Sequence, residues 1–167
     1  MYDTIAKSYD ELYGEEQLNK WKIIEENLDF SKFSNALDVG CGTGLITIRL
    51  ADRVHSVVGL DKSAEMIKLA EPRPNITYIT ADALDVPFDN NSFDLVVSVT
   101  VMQDVGKENW DKFISEIHRV TKKEAVVSIL NRNKSLDELK SYFQKYFEII
   151  KVEEEEKDYI FFLRKVI

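Results

Sequence analysis

An α/β fold built on a mostly parallel sheet is what this sequence predicts, and three observations predict it. Apolar runs of strand length alternate along the chain with longer segments of helical period. A glycine-rich turn, Gly40-Cys41-Gly42-Thr43-Gly44, directly follows the first such run. At the C-terminus two strand-like runs follow one another with no helix between them, so they must pair as an antiparallel hairpin.

Taken in order, residues 1–33 read as an N-terminal helical cap and 34–167 as a sheet core, together one domain over 1–167. Ala36 to Val39 is the first strand, and Leu45 to Asp52 carries apolar residues at helical spacing. Ser56 to Leu60 is a second strand; Ser63 to Ala70 is a helix stopped by Pro72 and Pro74. Ile76 to Thr80 and Phe93 to Thr100 are the third and fourth strands. Trp110 to Val120 is a one-faced helix, with Trp110, Phe113, Ile114, Ile117 and Val120 on its apolar stripe. His118 lies off that stripe and is expected at the surface, as is His55. Ala125 to Leu130 is a fifth strand and Leu136 to Tyr146 a further helix. Phe147 to Val152 and Tyr159 to Val166 form the closing hairpin. The run Glu153 to Glu156 reads as a charged guard on an edge strand.

Composition narrows the function. A chain of 167 residues is one domain's length and buries roughly 70% of its unfolded surface, enough for a core without staples. The net charge is -8 and the pI ≈ 4.9. A protein gripping nucleic acid unaided normally presents a basic surface, so that partner is disfavoured. Cys41 is the only cysteine, and the two histidines are far apart, so no metal site is expected. The N-terminus carries no apolar signal core, and no apolar run approaches the ~20 residues of a membrane span. The expectation is a cytoplasmic protein without a membrane partner.

The chemistry concentrates where strands end, the place at which open α/β sheets bind ligands. In the glycine turn, the backbone can take positive φ and a ligand can approach without a side chain between. The spacing departs from the dinucleotide pattern G-x-G-x-x-G, since the third glycine is Gly44 and the next residue Leu45. Asp38, two residues before Gly40, suits a ligand with an ammonium group better than a pyrophosphate. Asp61 closes the second strand, where a carboxylate can accept from a ribose diol. Asp82 follows the third strand, where a carboxylate can accept from an exocyclic amine such as that of adenine. An amino-acid amine, a ribose and an adenine are thus matched in chain order.

Together these features resemble the class I S-adenosylmethionine-dependent methyltransferases, nearest to the small-molecule type that includes the ubiquinone/menaquinone C-methyltransferases. The likeness covers nearly the whole chain. Its elements are Tyr2-Asp3…Tyr9-Asp10, Asp38 to Gly44, Asp61-x-Ser63-x-x-Met66, Asp82-Ala83, Phe93 to Thr100 and Glu116-x-x-Arg119-Val120. The resemblance implies a Rossmann-like, doubly wound sheet of seven strands. Helices cover both faces, and the last strand is antiparallel and inserted between the fifth and sixth.

It also implies a site for S-adenosyl-L-methionine. The backbone of Gly40 and Gly42 would face the methionine moiety, with Asp38 near its amine, and Cys41 and Gly44 count among the cofactor-binding residues. Asp61 would hold the ribose, Met66 would pack near the adenosine, and Lys62 counts among the cofactor-binding residues. Asp82 would meet adenine N6 and the Ala83 backbone its ring nitrogen. Val99 and Thr100 would border the sulfonium, with Tyr9 closing the pocket.

Catalytic residues are not assigned: Gln103, Asp104 and Tyr9 are the nearest candidates for a base. The fourth strand lacks the Asn/Asp-Pro-Pro-aromatic motif of enzymes that methylate amino groups of bases or glutamine. A small-molecule acceptor is favoured. Only Asn131 to Ser135 separate the fifth strand from its helix, so the acceptor site is either open or completed by another chain, a homodimer partner or an activating subunit. The alternatives are a non-catalytic or partner-dependent methyltransferase subunit acting on protein or RNA, and an NAD-dependent oxidoreductase.

Overall fold

The computed structural model describes residues 2–166, with side chains from Gly14 to Val166. Two compact units divide the chain between Ala83 and Leu84. Among the described residues, three strands lie in the first unit and four in the second.

In the first unit, α1 (Tyr2–Asn27) precedes β1 (Asn35–Val39), α2 (Leu45–Ala51), β2 (Ser56–Asp61), α3 (Ala64–Lys68) and β3 (Ile76–Thr80). Each connection between strands returns through a helix, so β1, β2 and β3 pair in parallel, Asp38 opposite Gly59 and Asp61 opposite Thr80. α1 packs on α2 and α3. The predicted helix over 63–70 shortens to five residues, capped by the Ser63 hydroxyl accepting from Met66 N at 3.2 Å.

The second unit runs β4 (Phe93–Ser98), α4 (Trp110–Val120), β5 (Thr121–Leu130), α5 (Leu136–Gln144), β6 (Glu148–Glu154) and β7 (Asp158–Arg164). All six residues of β4 are buried, as expected for a central strand covered on both faces. β4 and β5 are parallel; β7 pairs antiparallel with both β5 and β6 and lies between them. The hairpin and its inserted last strand are as predicted. β6 is an edge strand, and Glu153 and Glu154 sit on it.

Two predicted features move. β5 starts four residues early, at Thr121, although Lys122, Lys123 and Glu124 look like a connector; Glu124 pairs with Leu95 and Arg164, while the two lysines fall in an irregular stretch of the ladder and face water. His118 is half-buried rather than on the surface. Its ring meets Phe147 edge-on at 5.1 Å and Tyr146 at 5.9 Å, and burial, then nearby Lys165, lowers its pKa.

The Glu116-x-x-Arg119 motif is a clamp. Arg119 donates to the carbonyls of Val86 (2.7 Å) and Phe88 (2.6 Å), and pairs with Glu116 at 2.7 Å. Glu116 in turn accepts from Val86 N at 2.9 Å. The loop entering β4 is thereby tied to α4.

Candidate cofactor site

The glycine turn is built by backbone bonds that no side chain could replace. The N–H groups of Gly40 and Cys41 both donate to Leu60 O, at 2.7 and 2.9 Å, and Gly44 N donates to Cys41 O at 2.9 Å. Gly40, Gly42 and Gly44 have φ of 78, 55 and 87°, the left-handed region in which glycine carries no Cβ penalty. Gly44 is also the N-cap of α2. A Cβ there would lie 2.7 Å from the Tyr78 hydroxyl.

Asp61, the last residue of β2, fastens this turn. One carboxylate oxygen accepts from Gly42 N at 2.9 Å and the other from Ser63 N at 2.8 Å. The residue predicted to border a ribose therefore also joins two loops, a role its place at a strand end did not reveal. Lys62 beside it is exposed and Met66 half-buried on α3.

Asp38 is buried in β1 and accepts from Thr47 Oγ1 at 2.7 Å. Burial pushes its pKa up to about 7; the Thr47 hydroxyl acts downward and the Asp61 charge upward. No cation among the described residues counts among these influences. Burial and the two nearby aspartates also raise the Cys41 thiol far above its ordinary value, so it packs the turn and does not act as a nucleophile. Asp82 is exposed two residues beyond β3, and Ala83 is half-buried. Tyr9 lies outside the described residues as far as its side chain is concerned.

The second unit places Val99 and Thr100 at the end of β4, Val99 buried and Thr100 half-buried. Thr100 has φ 59°, a costly conformation for a β-branched residue. Three contacts hold it there. Its N–H donates to Ser128 Oγ and its hydroxyl to Asp158 Oδ2, each at 2.8 Å, and its carbonyl accepts from Gln103 Nε2 at 2.7 Å. The Gln103 Oε1 accepts from Leu130 N at 3.4 Å, so this amide braces backbone and is no base.

Sequence reasoning missed Thr47, Tyr78, Ser128 and Asp158. Thr47 alone left a local signal, as a hydroxyl one helical turn into α2 facing the preceding strand.

The first unit thus joins a left-handed glycine turn, open to close backbone approach, with two carboxylates that repel one another. A ligand that brings its own positive charge fits this chemistry, and S-adenosylmethionine carries both an ammonium and a sulfonium. Comparison with known proteins decides the matter: residues 36–124 match a family described as a methyltransferase domain.

The chain belongs to the class I S-adenosylmethionine-dependent methyltransferases.

Two curated relatives support this assignment of the methyltransferase. A 2-phytyl-1,4-naphtoquinone methyltransferase from Nostoc is 31% identical, covering 88% of this chain and 69% of the relative. A demethylmenaquinone methyltransferase from Staphylococcus epidermidis is 32% identical, covering 90% and 66%. In fold, the methyltransferase is similar to a putative methyltransferase solved with the Haloferax volcanii Trm112 activator. That similarity has a TM-score of 0.86 at 15% identity over 100% of this chain and 98% of the other. S-adenosylmethionine is its cofactor. Among the described residues, no helix is long and apolar enough to cross a membrane.

Proposed function

We propose that this methyltransferase, working as one domain over 1–167, transfers methyl groups to a small-molecule acceptor. The observation that carries the reading is Asp61 tying the glycine turn to the start of α3. Beside it stands the buried Asp38, a counter-charge for an ammonium.

S-adenosylmethionine, when bound, supplies a methyl group already activated on sulfur, so the chain has to orient and shield more than to activate. In this reading the backbone of Gly40, Cys41, Gly42 and Gly44 admits the methionine part and Asp38 answers its ammonium. Asp61 would hold the ribose, Lys62 would lie beside it in the sequence, and Met66 would pack on the adenosine. Asp82 and the Ala83 backbone take the adenine edge. In the second unit, Val99 and the strained Thr100 would border the sulfonium.

A small acceptor is supported by the quinone methyltransferases among the relatives and by the acidic balance of the chain, -8 overall. A second reading, a site completed by a partner chain, is favoured by the connection from β5 to α5. At five residues, 131–135, it holds no substrate-covering insertion.

Calorimetric titration of the purified chain with S-adenosylmethionine, S-adenosylhomocysteine and NAD tests the cofactor site. Binding of both adenosyl compounds and not of NAD is expected. Failure of all three would overturn the self-sufficient site and favour the partner-completed one.

A further inference from the structure

A cavity of about 350 Å³ opens within the second unit, at the carboxyl ends of β4 and β5. Its walls include Gln103, Lys107, Trp110, Arg132, Lys134 and Glu138. Three cations against one carboxylate is a reversal in a chain whose net charge is -8. The balance is not one of satisfied pairs. Lys107 pairs with Glu138 and stands 5.7 Å from the centre of the Trp110 ring. Lys134 Nζ donates to the Arg132 carbonyl at 3.3 Å, across Asn133 at φ 56°. The exposed Arg132 guanidinium makes no hydrogen bond or ion pair among the described residues.

Trp110 gives the cavity an aromatic wall beside these cations. Trp110 is 6% exposed, and its Nε1 is a buried donor with no acceptor among the described residues. Leaving such a donor unpaired is costly, and buried polar groups without partners are few in folded proteins. A planar guanidinium with lysines beside it is the donor set that a carboxylate or phosphate requires.

The cavity also reaches the transfer end of the unit. Gln103, one of its walls, holds the Thr100 carbonyl at 2.7 Å. We propose that this cavity is the acceptor subsite, and that it takes a small molecule bearing an oxyanion, a carboxylate or a phosphate ester, recognised by Arg132 and Lys134 against the Trp110 ring. The inference rests on the methyl-transfer reading above.

The chain has two tryptophans, so ¹H–¹⁵N spectra of the full protein carry two indole signals, assigned with Trp21→Phe. The protein is titrated first with S-adenosylhomocysteine, then in separate samples with 4-hydroxybenzoate, phenyl phosphate, neutral 4-hydroxybenzamide and a short oligoribonucleotide. The Trp110 signal should move saturably with at least one of the two anions, and which one responds separates a carboxylate from a phosphate acceptor. The Trp21 signal and the benzamide titration should stay flat. Arg132→Gln, at an exposed position, should weaken the anion about tenfold, and Lys134→Gln in the same direction.

No saturable shift, equal binding of the amide, an indifferent Arg132→Gln, or a response to the oligonucleotide alone would overturn the subsite. If S-adenosylhomocysteine binds while the anions fail, only the subsite falls. If the anions bind while S-adenosylhomocysteine fails, the anion site stands and its role as acceptor subsite falls with the methyl-transfer reading.

Discussion

The Thr100 hydroxyl donates to the carboxylate of Asp158 at 2.8 Å, across 58 positions of sequence, while Thr100 itself sits at φ 59°. A β-branched residue in the left-handed region costs roughly 1–2 kcal/mol, so the bond to Asp158 and that from Thr100 N to Ser128 must outweigh it. Thr100→Val keeps the shape and removes the hydroxyl beside a fully buried carboxylate. It should destabilise by about 1–3 kcal/mol. Thr100→Gly loses the same bond but also the strain, and should cost less. Urea unfolding of both variants checks the order; Gly costing more than Val would mean the backbone there is unstrained.

Asp38 makes stability depend on pH. Its folded pKa, about 7, lies above the ordinary 3.8, so the folded state holds a proton that the unfolded state releases. The contribution is present in full below pH 3.8 and is lost as pH rises through about 7. Relative to Asp38→Asn, the natural chain should lose stability between pH 3.8 and about 7 in urea titrations. Thr47→Val removes the hydroxyl that favours the ionised form, and should move that loss to higher pH. If the cofactor's ammonium meets Asp38, binding near pH 6 should release a proton, seen as buffer-dependent heat. A wild-type curve parallel to that of Asp38→Asn would show that Asp38 ionises normally.

How much of this was legible beforehand follows from sequence distance. The glycine turn, Asp61 and the antiparallel last strand could be read because turn chemistry and strand alternation are local, or because they recur as a recognisable series. Asp61's second task could not, since the Gly42 N–H it accepts lies 19 positions away. Tyr78 looked like an ordinary strand aromatic until β3 paired with β2 and set it opposite Gly59. Asp158 was hidden behind the acidic run before it, which read only as an edge guard. His118 was misread because the wall it packs on, Tyr146 and Phe147, arrives from beyond α5.

Gly59 is a glycine of space rather than of φ. A Cβ there would come within 2.8 Å of Tyr78 Cδ1 and 3.1 Å of Cys41 Sγ. Gly59→Ala should destabilise by about 1–3 kcal/mol, the ordinary cost of overpacking. Tyr78→Ala should itself be destabilising, yet the double variant should cost clearly less than the sum, because the clash is gone. Additive costs in a double-mutant cycle would place the penalty on Cys41 or on the strand backbone.

Arg119 and Glu116 supply the last test, because geometry and titration predict the same weakness. The hydrogen bond from Arg119, followed by that from Val86 N, lowers the pKa of Glu116 below the ordinary 4.5 against the effect of burial. Its stabilisation is therefore present above about that pH and lost as pH falls through the lower folded value. Glu116→Gln should flatten the acid limb of the stability curve. Arg119→Lys should cost about 1–3 kcal/mol at neutral pH, since an ammonium cannot reach the Val86 and Phe88 carbonyls and Glu116 at once. Amide hydrogen exchange should localise that loss to residues 86–90, the loop the pair clamps. Uniform exchange across the second unit would instead make the pair a contributor to global stability alone.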